Sequence, residues 1–248
     1  SRIWKAQIPD FARRHRVATF DPRGNGGSDR PPTTAGYAER EFALDLLAVM
    51  DAAGIGRAVL VSLSLGAQRS LMAASAAPAR VDGLVFIGPA VPIGAGPRED
   101  ATTFDDPNVP DEGWGRYNRH SWRRDYEGFL TFFFGECFTE PHSTKQTEDA
   151  IGWGREIGPE ALILSKTGAS LDDAETRSLA AGVRCPTLVI QGDEDAITGL
   201  GRGVALAEAI PGARLVTLRG SGHIPNARDP VKVNLLIRDF VAGLGYGR

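Results

Sequence analysis

The sequence predicts an α/β fold in which a mostly parallel sheet carries helices on both faces. Strand-like runs rich in β-branched residues and leucine alternate along the chain with amphipathic stretches of helical period. The predicted strands are residues 17–20, 58–62, 83–87, 187–191 and 214–218. Such alternation is typical of a parallel sheet, because consecutive parallel strands need a crossover helix between them. Side chains that follow the strands should then meet at the carboxyl edge of the sheet.

The helices between these strands are predicted from apolar residues three and four positions apart. The predicted helices are residues 38–53, 65–77, 203–209 and 231–244. In the first of them, Phe42, Leu46, Val49 and Met50 share one face. Residues 1–16 also have a helical pattern, so the first predicted strand is preceded by a helix.

The alternation breaks between about residues 95 and 180, which predicts a helical insert. We therefore divide the chain into an N-terminal part of the α/β core (1–94), the insert (95–180) and a C-terminal part of the core (181–248). Aromatic residues are concentrated in the insert. They pack the insert onto the core, or some of them line an apolar or aromatic substrate pocket. For the second role we name Trp122, Phe132 and Phe133.

A basic cluster precedes these aromatic residues. It consists of Arg116, Arg119, His120, Arg123 and Arg124. One interpretation is a solvated helix face. The other is recognition of a carboxylate or phosphate on the substrate, which guanidinium groups bind in a bidentate manner.

Composition excludes several classes of function. The 248-residue chain is 42% hydrophobic and 24% charged, with a net charge of -3, so nucleic acid and anionic membrane are not expected partners. No apolar run approaches the roughly 20 residues that span a bilayer. The two cysteines, Cys137 and Cys185, have no metal-ligand spacing, and we expect reduced thiols in a cytoplasmic protein. The expected partner is a small-molecule substrate with an apolar or aromatic part, and the oligomeric state stays open.

Ser64 lies between a predicted strand and a predicted helix, in the setting of a nucleophile elbow. In such an elbow the serine has a strained backbone, and the residues two positions away on either side must be small. Here they are Ser62 and Gly66, a small-x-Ser-x-Gly variant of the usual Gly-x-Ser-x-Gly pattern. The turn would direct the first amides of the next helix, that of Leu65 among them, at the reacting centre. Ser64 is thus the predicted nucleophile and the Leu65 amide the predicted oxyanion donor.

A serine hydroxyl needs a base, and the base needs an orienting group. Among the four histidines, His223 lies in a glycine-flanked turn that could approach another loop closely. The alternative is a solvated loop histidine. The acidic loop after the strand at 187–191 contains both Asp193 and Asp195. Asp195 is our predicted partner of His223, and Asp193 is the alternative because it is nearer the strand end and could instead cap the turn.

These motifs, in this order, resemble those of the α/β-hydrolase family from end to end. Residues 21–28, Asp-Pro-Arg-Gly-Asn-Gly-Gly-Ser, resemble the Asp-x-Arg-Gly-x-Gly-x-Ser segment that follows the fourth strand in that family. The Ser64 elbow, the acidic loop and Gly222-His223 fall where the family has its catalytic residues. The resemblance implies the α/β-hydrolase fold, with the insert as a helical cap. It also implies that Asp21 and Arg23 shape a loop, so neither is a catalytic candidate.

The function implied by the resemblance is hydrolysis of a carboxylic ester, thioester or lactone by Ser64, Asp195 and His223. No metal or organic cofactor is implied. Cleavage of a C–C bond beside a carbonyl, or acyl transfer, would use the same triad. The family's haloalkane dehalogenases and epoxide hydrolases use an aspartate nucleophile, so Ser64 argues against both. The alternative from another class is a non-catalytic ligand sensor, since fold alone does not decide function.

The start of the sequence departs from the family pattern. In the family, three strands precede the Asp-x-Arg-Gly segment, and the loop after the third supplies one oxyanion amide. That strand lies between the fourth and fifth, so its absence should leave a gap in the sheet or force a new pairing. One oxyanion donor is typically worth about 10²–10³ in turnover. We expect this sequence to be part of a longer chain, with a natural short version as the alternative.

Overall fold

The computed structural model describes residues 1–97 and 103–245. Its strands are β1 (Ala58–Leu63), β2 (Val81–Ile87), β3 (Thr187–Gly192) and β4 (Arg214–Leu218). Its α-helices are α1 (Ile8–Phe11), α2 (Glu39–Ala52), α3 (Gly66–Ala76), α4 (Arg119–Arg124), α5 (Tyr126–Cys137), α6 (Thr144–Arg155), α7 (Pro159–Thr167), α8 (Asp173–Gly182), α9 (Leu200–Ala209), α10 (Pro225–Arg228) and α11 (Pro230–Gly243). Of these described helices, none has both the length and the apolar character needed to cross a bilayer.

The four described strands form one sheet in the order β1-β2-β3-β4, and every pairing is parallel. Its central strands are buried on both faces, as expected for a parallel sheet covered by helices on each side. In β2, Leu84 and Phe86 face one apolar cluster, whereas Val85 and Ile87 face another. The predicted α/β fold with a mostly parallel sheet is confirmed.

The two apolar clusters define the two helical layers. Met50 of α2, Leu71 of α3 and Leu206 of α9 belong to the cluster on one face of the sheet. The cluster on the other face contains Val233 and Ile237 of α11. Because both faces of the central strands are covered, ligands can approach the sheet at the carboxyl ends of its strands, and the candidate catalytic residues follow β1, β3 and β4 there.

The prediction of a strand at residues 17–20 is wrong, since these residues belong to no strand in the structure. A cleft of about 850 Å³ is lined by Val17, Thr19 and Phe20 together with the β1 residues Val59 and Val61. An isolated extended segment has no backbone partner, and strand structure depends on that pairing. The sequence left two outcomes beside β1, a gap or a new strand pairing. Among the described residues the structure has the gap.

The N-terminal residues are only partly helical. They form a short 3-10 turn over Arg2–Trp4 and the single-turn α1, rather than one continuous helix. Trp4 and Phe11 pack against the apolar cluster of α11.

Between β2 and β3 the described chain forms α4 to α8. An apolar cluster rich in aromatic residues, here called the aromatic cluster, forms the interior of the insert. It includes Trp122, Phe129 and Ile163. Helix α8 spans residue 180, where the predicted division of the chain, which stays a prediction, ends the insert. It contacts α3 and α9, and its buried Ala180 belongs to the core cluster of the sheet. Residues 98–102, at the predicted entry into the insert, lie outside the described residues.

Candidate active site

Ser64 occupies the sharp turn between β1 and α3. Its φ is +55°, a left-handed conformation that is uncommon for a residue with a side chain. Hydrogen bonds hold the turn at both backbone groups, since Ser64 N donates to Ile87 O (3.0 Å) and Ala90 N donates to Ser64 O (3.1 Å). The strained serine is therefore tied to the end of β2, and its hydroxyl-bearing side chain is half-buried.

The small residues around Ser64 have a steric reason. A Cβ atom added to Gly66 would lie 3.1 Å from the Cβ of Ser62, which is tighter than ordinary van der Waals contact. Two large side chains could not be accommodated on the two arms of this turn. The Ser62 and Gly66 pair noted in the sequence thus permits the close reversal of the chain.

The predicted oxyanion donor lies directly after Ser64. Leu65 is the residue that precedes α3, with φ -56° and ψ -22°. The first amides of a helix have no carbonyl partner within the helix, and they carry the positive end of its dipole. The Leu65 amide can therefore stabilise a negative oxygen that develops at a carbon bonded to Ser64.

Asp195 lies in the loop after β3, where its carboxylate is buried and surrounded by donors. Oδ1 accepts from the amides of Ile197 (2.8 Å) and Thr198 (2.9 Å). Oδ2 accepts from Gln191 Nε2 (2.8 Å) and Thr198 Oγ1 (2.7 Å), and it lies 2.9 Å from His223 Nδ1. Both oxygens are thus held in place before any substrate binds.

The ionisation of Asp195 follows from this environment. Burial alone would raise the pKa of Asp195, but the hydrogen bonds from His223 and Thr198 outweigh burial and hold that pKa well below the usual range for aspartate. The group is therefore a carboxylate at neutral pH. It fixes the Nδ1–H tautomer of His223, which leaves Nε2 as the basic nitrogen.

His223 is also brought to the end of β2. A Cβ atom added to Gly88 would lie 2.9 Å from His223 O and 3.0 Å from His223 Nδ1. Gly88 directly follows Ile87, the residue whose carbonyl accepts from Ser64 N. The candidate nucleophile and the candidate base therefore flank the same strand end.

Asp193, the alternative partner of His223, is engaged elsewhere. Its Oδ1 accepts from the amide of Gly220 at 2.6 Å, which closes the turn after β4. This is the turn-capping role that the sequence left open for it. The carboxylate that contacts His223 belongs to Asp195.

The three predicted substrate-binding residues have different surroundings. Trp122 is 1% exposed inside the aromatic cluster of the insert. Phe132 is half-buried and contacts the Trp114 ring edge-on, with centroids 5.1 Å apart. Phe133 packs against the same apolar cluster as Leu63 and Ile197, which are close in sequence to Ser64 and Asp195. Of the three, Phe133 is thus the one that shares an apolar cluster with sequence neighbours of the candidate catalytic residues.

The basic cluster of the insert is paired with acids at the surface. Arg123 binds Glu160 and Arg124 binds Asp111, each at 2.8 Å. Arg116 pairs with Asp125 at 3.0 Å. These pairs favour the interpretation of the cluster as a solvated, charge-compensated face.

The contact between the strand end at β3 and the His223 loop gives a stability prediction. A Cβ atom on Gly192 would lie 2.1 Å from Ser221 O and 2.4 Å from Gly222 O, both backbone atoms. Gly192→Ala is expected to lower the free energy of unfolding by about 2–3 kcal/mol, because the loop must move to admit the methyl group. Urea unfolding measures the change. The control is Gly182→Ala, where no atom lies within 4 Å of the added Cβ. Equal effects of the two substitutions would contradict the prediction.

Comparison with known proteins identifies the family of this chain. The family model for the alpha/beta hydrolase fold matches residues 1–230. The chain belongs to this family. It is a hydrolase of the alpha/beta hydrolase fold, as the sequence motifs predicted.

Several relatives of this alpha/beta hydrolase carry functional names. RutD of Klebsiella pneumoniae subsp. pneumoniae, provisionally named a carbamate hydrolase, is 27% identical over 241 residues, which cover 97% of this chain and 86% of RutD. The structure of Est816, described as an N-acyl homoserine lactone degrading enzyme, has a TM-score of 0.75 at 27% identity and covers 96% of this chain and 88% of that one. The esterase EaEST of Exiguobacterium antarcticum has a TM-score of 0.82 at 20% identity, over 97% of this chain and 87% of EaEST, and it shows the shared fold alone.

Two residues that support the candidate site in this hydrolase were not found from sequence. Gln191 is fully buried and donates to Asp195. A polar residue at the end of an otherwise apolar strand was the available signal. Thr198 donates to both oxygens of Asp195, and its spacing three residues after an aspartate is typical of a local side-chain turn.

Proposed function

We propose that this hydrolase cleaves a carboxylic ester, thioester or lactone through an acyl-enzyme on Ser64. The proposal rests on one observation above all. A serine with φ +55° at the end of β1 flanks the same strand end as the buried pair of His223 and Asp195. A strained serine at that place is typical of an activated nucleophile.

The first half of the reaction forms the acyl-enzyme. Ser64 Oγ attacks the carbonyl carbon, and its proton passes to His223 Nε2. Asp195 stabilises the resulting imidazolium through Nδ1–H. The carbonyl oxygen becomes negative in the tetrahedral intermediate, and the Leu65 amide donates a hydrogen bond to it. When the intermediate collapses, the bond from carbon to the leaving group breaks, and His223 protonates the leaving oxygen or sulfur.

The second half restores the enzyme. Water attacks the acyl carbon, and His223 accepts one proton from that water. The bond between the acyl carbon and Ser64 Oγ then breaks, and the same proton returns to Oγ. The net reaction adds one water across the ester, thioester or lactone bond. It draws on no metal or organic cofactor.

The acyl side of the substrate is proposed to be apolar or aromatic. Phe133 supports this choice, because its side chain packs against the same apolar cluster as Leu63 and Ile197. We retain Phe132 and Trp122 as further candidates for contact with the substrate. The names of RutD and Est816 add carbamates and lactones to the compounds worth testing.

A p-nitrophenyl ester series from acetate to octanoate tests this function on the full chain. We expect saturable turnover with an optimum chain length, and a fluorophosphonate should label a single peptide that contains Ser64. A lactone and a phenyl carbamate, assayed alongside, decide between the leaving-group classes. Labelling at another serine, or a cooperatively folded chain without turnover of any of these compounds, would contradict the proposal. The second result would favour the non-catalytic sensor.

A further inference from the structure

The end of the insert reaches across to the loop that carries His223. The segment of residues 139–143, which directly follows α5 and its next residue, is here called the strap. Thr139 Oγ1 donates to Glu194 O (3.2 Å), in the loop that also carries Asp195. Arg228 of α10 donates to Ser143 Oγ (2.9 Å) and to Pro141 O (2.8 Å). The strap is therefore fixed at both ends to the part of the core that holds the candidate base and acid.

Glu140 makes the central contacts of the strap. Its Oε1 accepts from the amide of Gly222 at 2.8 Å and from Ser221 Oγ at 3.2 Å. These two donors directly precede His223. In addition, His223 N donates to Cys137 O at 3.0 Å. Cys137 is the last residue of α5, so the amide of His223 satisfies a carbonyl that has no partner within the helix. Three consecutive residues of the His223 loop are thus bonded to the insert.

The closeness of the two chains explains a glycine in the loop. A Cβ atom added to Gly222 would lie 2.9 Å from Cys137 O, 2.9 Å from Thr139 Oγ1 and 3.1 Å from Glu140 Oε2. Any side chain at this position would push the loop away from the insert. The sequence predicted that glycines beside His223 allow close approach to another segment, and at Gly222 that segment is the end of the insert.

We infer that Glu140 is a positioning residue that holds the backbone of the His223 loop, and so couples the insert to the general base. The inference rests on the proposed function, because it takes His223 as the general base and holds that the position of this base limits turnover. A base displaced by about 1 Å can lower turnover by about 10²-fold. Glu140 touches neither Ser64 nor the imidazole through the bonds described above, so its effect passes through the loop backbone.

The experiment compares Glu140→Ala, Glu140→Gln and Ser221→Ala on the best ester of the p-nitrophenyl series. Glu140→Ala removes the acceptor and is expected to lower kcat by about 10- to 100-fold, with KM changed by less than about threefold. Glu140→Gln keeps an oxygen acceptor at the same place and should restore kcat to within about threefold of wild type. Ser221→Ala removes one of the two donors and should lower kcat by about three- to tenfold. The matched control is Glu160→Ala. Glu160 belongs to the insert and pairs at the surface with Arg123, so its substitution should leave kcat unchanged.

A second measurement is independent of turnover. Hydrogen exchange at the amides of Gly222 and His223 should be faster in Glu140→Ala than in wild type and should return to the wild-type rate in Glu140→Gln. Wild-type kcat together with wild-type exchange in Glu140→Ala would overturn the inference. Equal losses in the alanine and glutamine variants would also overturn it, since the acceptor would then not be the relevant property.

The inference can still be tested if Glu140→Ala fails to fold or if the wild-type chain has no turnover. If Glu140→Ala does not unfold cooperatively in urea, Ser221→Ala carries the test, and an unchanged kcat in that variant overturns the inference. If the wild-type chain has no Ser64-dependent turnover, the proposed function fails. The exchange rates of the same variants then still support or overturn the positioning of the His223 loop by Glu140.

Discussion

Ser64→Ala is expected to lower the turnover of p-nitrophenyl esters by about 10⁶-fold, to the level that binding and the Leu65 amide provide alone. The reason is that alanine has no oxygen to form the acyl-enzyme, so water must attack directly. KM should change little, because the ester pocket is intact. The measurement is kcat under conditions where the wild-type enzyme is saturated.

The control for Ser64 lies two residues away. Ser62→Ala alters a buried serine of β1 and leaves the nucleophile in place, so it should retain most of the turnover. Ser64→Gly adds a test of the strained turn. Glycine adopts φ +55° without the Cβ penalty, so the glycine variant should be about 1 kcal/mol more stable than the alanine variant. A large loss of turnover in Ser62→Ala, or an alanine variant with substantial activity, would contradict the assignment of Ser64.

Asp195→Asn is expected to lower kcat by about 10⁴-fold. An asparagine can present its amide NH₂ to His223 Nδ1, which would favour the tautomer with the proton on Nε2. That nitrogen could then no longer accept the proton of Ser64. The matched control is Asp193→Asn, because the Asp193 carboxylate closes the turn at Gly220 and its loss should alter kcat by less than about tenfold. Similar losses in the two variants would contradict the assignment of Asp195.

The difference in stability between the wild-type protein and Asp195→Asn is predicted to depend on pH. The pKa of Asp195 in the folded protein lies below its value in the unfolded chain, so its contribution is complete above the ordinary aspartate range. It is lost as pH falls through the lowered pKa of the folded state. Wild type should therefore exceed Asp195→Asn in free energy of unfolding at pH 7, and the difference should shrink in strongly acidic solution. Urea unfolding from neutral pH to the lowest pH at which both remain folded measures it.

The alternation of strands and helices could be read from sequence because burial on both faces demands continuous apolar runs. The predicted strands at 83–87 and 187–191 correspond to β2 (Val81–Ile87) and β3 (Thr187–Gly192), which lie at the centre of the sheet. The Ser64 elbow was equally local, since its small neighbours and its position between strand and helix lie within five residues. The family and the hydrolase class followed from these motifs and their order.

The structure alone decided what depends on partners distant in sequence. Residues 17–20 have the composition of a strand but no strand beside them, because pairing is a property of two segments and not of one. Helix α8 spans the predicted end of the insert, and only the folded chain shows that it contacts α3 and α9. The sequence favoured Asp195 over Asp193 as the partner of His223 but left both possible, and only the folded loop shows Asp195 in contact with His223. Glu140 has no sequence signal at all, since the bond from Gly222 to its carboxylate joins residues 82 positions apart. Local periodicity determines which residues are buried, whereas the contacts that place a proton donor or acceptor to within a few tenths of an ångström arise only when distant segments pack.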